Sequence, residues 1–174
     1  MMRTLGIAFY LVVCGLVSST PVLATSGNDL MPEKVIGVSK RTDIKVVYDD
    51  KDDVLDAGIG KGLYYLRGLL ESYKSLNIDP KSLHISIVLH GDTAHWLLND
   101  TAYQRYKNDP FTYNPNNKVV EELLQHGVSV EICRVTMRAH GFQPEDLLPG
   151  VVMVHDAYTR MIDLQQRGYA YIRF

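Results

Sequence analysis

From residue 44 onward, apolar runs rich in β-branched residues alternate with stretches of helical periodicity. "IKVVY" (44–48) predicts a first strand. Leu55, Ile59, Leu63, Leu66, Leu70 and Tyr73 then recur at spacings of three and four, the stripe of an amphipathic helix. Pro80 ends that helix, because it disfavours helical geometry in the residue before it. "LHISIVLH" (83–90) predicts a second strand, continuously apolar as in a strand covered on both faces. "DTAHWLLNDTAYQRY" (92–106) reads as one helix with Asp92 or Thr93 as its N-cap. "KNDPFTYNPN" (107–116) is the one long loop, and Pro115 suits the first turn of the next helix, "NNKVVEELLQH", which closes at Gly127. "VSVEIC" (128–133) predicts a third strand, "QPEDLLPG" a turn with one helical turn, and "VVMV" (151–154) a fourth, buried strand. A last helix over "DAYTRMIDLQQR" stops at Gly168, and "YAYIRF" forms a closing strand with two usable faces, whose edge needs a partner or cover.

Strands separated by helices of this length predict an α/β fold, a parallel sheet with helices on both faces and right-handed crossovers. Sites in open sheets of this kind lie outside the carboxyl ends of the strands. Cys133 ends the third strand and His90 the second, so both are expected at one rim.

The first residues have a different character. Arg3, the apolar run Leu5 to Val17 and the small residues of "SSTPVLA" have the three parts of an export signal, with a cut expected after Ala24. The apolar run falls short of the ~20 residues a membrane-spanning helix needs, and no second such run occurs, so no membrane association of the mature form is expected. A lipoprotein reading of Cys14 is disfavoured by bulky Val13. The expected organisation is a leader over 1–24, an irregular lead-in over 25–43 and one domain over 44–174, with a periplasmic or secreted location. Loss of the leader leaves 150 residues, enough for a real core, and takes the formal charge from −2 to −3. That balance gives no basic surface for nucleic acid.

Without the leader, Cys133 is the only cysteine. A lone thiol cannot form an intrachain disulfide, so it is a core filler, an intersubunit bridge or a working sulfur. A thiol acts as a nucleophile only as thiolate, and a free one titrates near ~8.5. A helix starting just after Cys133 favours the charged form, whereas Arg134, next on an extended strand, points the other way. His90 is a candidate proton carrier or partner for a bound sulfur anion; its bland alternative is a polar strand end bonded to a neighbouring carbonyl. His84, His95, His126, His140 and His155 are scattered, and no HExxH or paired CxxC spacing exists, so neither metal nor cofactor is expected. Gly58, Gly60 and Gly62 match neither a Walker loop nor the dinucleotide fingerprint, and close packing of a helix on the sheet explains them better. The acidic run "DDKDDVLD" (49–56) reads as a solvated face, part of it complementing a helix N-terminus. No GxSxG elbow is present, which argues against a serine hydrolase. "NDT" (99–101) matches the glycosylation acceptor pattern.

The segment "HGVSVEICRVTMRAHGFQPEDLLPGV" (126–151), with "IVLHG" (87–91) and "LQQRGYAYIRF" (164–174), resembles exported members of the DsrE/DsrF-like family, which includes TusD-type sulfur-relay subunits. The resemblance implies a three-layer α/β/α sandwich of flavodoxin- or Rossmann-like topology, assembled as homo-oligomers. It further implies persulfide chemistry at Cys133, with sulfur donors and acceptors as partners, either proteins or small sulfur species, and no cofactor. The export signal departs from the cytoplasmic relay subunits. Two readings follow: a periplasmic sulfur-handling protein using Cys133 with His90 assisting, or a non-enzymatic module that binds a small ligand or assembles into oligomers and has a structural cysteine. The first requires a solvent-reachable thiol.

Overall fold

A computed structural model describes residues 35–174. The expected leader (1–24), its cut after Ala24, Cys14 and lead-in residues 25–34 lie outside the described residues. Residues 35–43 form no helix or strand and are exposed, consistent with an irregular lead-in.

The first strand, β1, is Ile44–Asp50, longer than its apolar run because both terminal aspartates continue the ladder. The helical stripe does not begin at Leu55. Leu55–Asp56 (β2) and Ile59–Gly60 (β3) pair as a small antiparallel hairpin. Ala57 and Gly58 both have positive φ at its turn, a geometry no α-helix contains. Helix α1 therefore runs over Lys61–Ser75 and buries Gly62, Leu63 and Leu66. Leu63 and Leu66 are fully buried, a burial of ~2 kcal/mol each.

After a 3-10 turn at Pro80–Ser82 comes β4, Leu83–Leu89. The single helix expected over 92–106 is two pieces, a 3-10 helix over Gly91–Leu97 and α2 over Asp100–Lys107. The Asn99 side chain accepts from the Ala102 amide and restarts the helix, the local competition short polar side chains offer. Neither Asp92 nor Thr93 caps: His90 holds the N-cap position, and the Thr93 hydroxyl bonds the Asp50 and His90 carbonyls. Then follow α3 (Asn117–Gln125), β5 (Ser129–Cys133), α4 (Arg134–His140), a 3-10 turn at Pro144–Asp146, β6 (Val152–Val154), α5 (Ala157–Gln166) and β7 (Ala170–Arg173).

The five longer strands form one parallel sheet in the order β6-β5-β4-β1-β7. Helices cover both faces, as the α/β reading anticipated. On one face Val46, Tyr48, Ile85, Ile87, Val130 and Ile132 join a core with α1 and α3; on the other, Val47, Val88 and Cys133 pack against Ala157, Met161 and Leu164 of α5. Strand β6 was expected to be buried. It is an edge strand paired only to β5, and about half of Val152 and Met153 is exposed. The chain steps one strand at a time from β1 to β6, then α5 carries it back to β7 beside β1. The connection leaving β1 and the one entering β7 thus lie on opposite faces, a topological switch in the strand order.

Candidate functional site

Strand alternation decides which side chains meet at the carboxyl rim. Asp49 follows Val47 by two residues, His90 follows Val88, and Cys133 follows Glu131, so all three face α5. The contacts agree: His90 lies edge-to-face with Tyr158 of α5, ring centroids 5.5 Å apart, and Cys133 packs in the α5 core. The parallel register ends with Leu89 paired to Ile132, and His90 and Cys133 are the next residues on their two chains. The two residues expected at one rim share it, and they share a face.

The expected openness is not what the structure displays. Cys133 is 3% exposed and packs with Val47, Val88, Ala157, Met161 and Leu164. Helix α4 begins directly after it, as anticipated, with Cys133 in the N-cap position and no side-chain capping bond. Arg134 holds a buried Nε without a hydrogen-bond partner among the described residues.

His90 is buried, and its Nε2 lies 2.8 Å from Asp49 Oδ1. The Tyr171 hydroxyl donates to Asp49 Oδ2, and Arg173 Nε stands 4.0 Å from the same oxygen. Burial pushes the Asp49 carboxyl up, but hydrogen bonds from His90 and Tyr171, with the charges of His90 and Arg173, outweigh it and hold it below the usual carboxylate range. Asp49 is therefore an anion at neutral pH, fixed between β4 and β7 at the switch point.

Sequence reading missed this cluster because it took the acidic run from Asp49 as solvated. Asp49 is 4% exposed and Asp50 1%, whereas Asp52 and Asp53 are exposed as expected. The available signal was position: the two aspartates end a buried strand and cannot both leave the sheet. Of the remaining histidines, His155 follows Val154, the β6 partner of Cys133, at the same rim, and the others make their contacts elsewhere. His84 approaches Asp43, and His95 bonds the Asp92 carbonyl within an aromatic group of Tyr103 and Tyr106. The glycines fit close packing at two of three positions. A Cβ would meet Trp96 at 2.3 Å from Gly60 and Asp50 Oδ2 at 2.1 Å from Gly62, whereas Gly58 serves the hairpin turn.

A shallow cavity of about 310 Å³ opens on the same face beside β6, lined by Glu131, Val154, His155, Thr159 and Arg160 among others. Its buried carboxylate is already neutralised: Arg160 donates to both Glu131 oxygens at 2.7 and 2.8 Å, and Ser129 donates to one at 2.9 Å. The titratable groups near the end of β5 are then His90 with Asp49 on one side and His155, one residue past the β6 partner of Cys133, on the other.

Among solved structures, a protein of unknown function, MTH1491, from Methanobacterium thermoautotrophicum is 28% identical, with a TM-score of 0.52 over 76% of this chain and 100% of its own. The ychN protein from E. coli is 16% identical, with a TM-score of 0.52 over 75% of this chain and 100% of its own, a likeness of fold. No curated protein matches the chain. Residues 62–174, from the start of α1 to the last strand, match the DsrE/DsrF-like family, to which this protein belongs.

Proposed function

We propose that the protein is a sulfur carrier of the sulfur-relay type, acting after export, with Cys133 as the atom that holds the sulfur. The observation that carries this reading is the placement of the lone thiol at the end of β5 beside His90, on the carboxyl rim of a parallel sheet. The chemistry is exchange at sulfur. The Cys133 thiolate attacks one sulfur of an inorganic polysulfide; a new S–S bond forms, the donor's S–S bond breaks, and the shortened polysulfide leaves with the electron pair. An acceptor thiolate then attacks the outer sulfur and releases Cys133 as thiolate, so no outside oxidant is consumed. The requirement of a solvent-reachable thiol is not met at 3% exposure, so uptake from a donor and delivery to an acceptor both need α5 to yield at Ala157 and Met161.

The test is mass measurement on the peptide carrying Cys133 after the full chain meets polysulfide. A gain of one sulfur that vanishes in Cys133→Ser is expected. A gain of nothing, or one that survives the substitution, ends the reading.

A second reading has its own observation. The aliphatic surroundings of Cys133 are those of a core filler, as in a binding or assembly module. Such a thiol alkylates slowly in the native protein and quickly after unfolding, whereas a working thiol is as fast folded as unfolded or faster.

A further inference from the structure

We infer that Asp49 is a positioning residue for His90, so that Cys133, His90 and Asp49 form a proton relay across three adjacent strands. The inference rests on the sulfur-carrier reading but turns on Asp49, which lies before the stretch matched by the family. Its geometry is simple. Asp49 is a carboxylate and can only accept at Oδ1, so the His90 nitrogen 2.8 Å away must be the protonated one. That fixes the Nε2–H tautomer and leaves the Nδ1 lone pair as the acceptor on the ring. Nδ1 makes no hydrogen bond to the described residues, Cys133 Sγ included, and Cys133 is the β5 residue that follows Ile132, the partner of Leu89.

The proton step balances within this set. The Cys133 proton moves from Sγ to His90 Nδ1, leaving thiolate and imidazolium. Asp49 keeps its bond to Nε2–H and neutralises the new charge, as in other nucleophile–base–orienter constellations. The groups in contact with His90 are Asp49 from β1 and Tyr158 from α5, with Tyr171 and Arg173 of β7 reaching it through Asp49, and Cys133 must come within reach from the adjoining end of β5. Tyr171 holds the second carboxylate oxygen, so Asp49 cannot swing away from the ring without losing that bond. An apolar pocket opposes a bare thiolate; a neighbouring imidazolium with a buried counter-ion is what offsets it.

The test is the pH profile of Cys133 alkylation by iodoacetamide in the full chain, followed on the Cys133 peptide. Asp49→Asn is expected to slow the reaction at pH 7 about tenfold and move its midpoint up by about one pH unit. A profile within twofold of the wild type overturns the relay. Should Asp49→Asn not fold, the nitrogen shifts of His90 in the wild type decide: protonation at Nε2 supports the relay, and at Nδ1 overturns it. Polysulfide loading separates the two ideas. A profile that collapses in Asp49→Asn in a protein that takes up no sulfur keeps the relay and ends the carrier; normal loading with an unchanged profile does the reverse.

Discussion

At the end of β1 two adjacent carboxylates leave the backbone on opposite faces of the sheet. Both are buried almost completely. Asp49, on the α5 face, has a partner for each oxygen, and its carboxyl lies below the usual range. Asp50, on the α1 face, accepts one bond of 3.0 Å from the Gly62 amide, and its Oδ1 has no partner among the described residues. Burial pushes the Asp50 carboxyl up to about 7; the Gly62 amide and Lys61 oppose this, while the charges of Asp49 and Asp52 add to it. Asp50 is the more strongly desolvated of the two and has the fewer donors, and both differences favour its protonated form. One face is set for charge chemistry, and the other tolerates a carboxyl that gains or loses its proton near neutrality.

The contrast breaks most sharply at Gly62. The helix start sits so close to Asp50 that a methyl group on Gly62 would lie 2.1 Å from Oδ2 and 2.8 Å from Cγ. Gly62→Ala is expected to destabilise by about 3 kcal/mol in urea unfolding, the scale of an overpacked core. Asp50→Ala removes the clashing atoms, so the double variant should be more stable than Gly62→Ala alone. A strictly additive double variant would show that the strain lies elsewhere.

Next in size is the pH dependence of Asp50. Its folded value of about 7 stands above the unfolded 3.8, so the folded state holds a proton the unfolded state has lost between those limits. The stabilisation is full below about 3.8 and disappears as pH rises to about 7. Asp50→Asn mimics the protonated acid and should raise stability by about 2 kcal/mol at pH 8, with little change at pH 4. An equal gain at both pH values would mean that the Asp50 carboxyl titrates alike in the folded and unfolded states.

Much of this molecule was legible in its pattern. The three inner strands of the sheet were visible as apolar runs, because a parallel strand buried on both faces has no polar register to hide it, while the edge strands β6 and β7 were found from short runs whose side chains are largely exposed. Cys133 and His90 stood out because they end such runs. Asp49 and Asp50 did not, since a string of acids reads as solvent-facing until the sheet order shows that β1 lies between β4 and β7. Tyr171 was equally hidden: its partner is 122 residues away in sequence, and only the return crossover through α5 brings them together. Local spacing also overran at Leu55 and Ile59, where two successive left-handed residues, Ala57 and Gly58, impose a hairpin on a helical stripe.

The smallest expected effect sharpens the comparison on the Asp49 side. Tyr171 is 43% exposed, yet its hydroxyl reaches a buried carboxylate, and its proton is held to about 12 by burial first and by the bond to Asp49 second. Tyr171→Phe removes that donor and keeps the ring, so a loss of about 1 kcal/mol is expected at pH 7, the scale of one hydrogen bond to a charged group with solvent nearby. The sign with pH follows from each partner. Asp49, held low, stabilises above its unfolded value and loses that contribution as pH falls through the folded one; Tyr171, held high, stabilises below its unfolded value near 10 and loses that contribution as pH climbs to about 12. The wild type should therefore exceed Tyr171→Phe in stability across the neutral range, and the two should converge at both extremes. A difference that persists unchanged at a pH low enough to protonate Asp49 in the folded state would assign it to something other than the bond to the carboxylate, and Asp49 would then owe its low value to His90 and Arg173 alone.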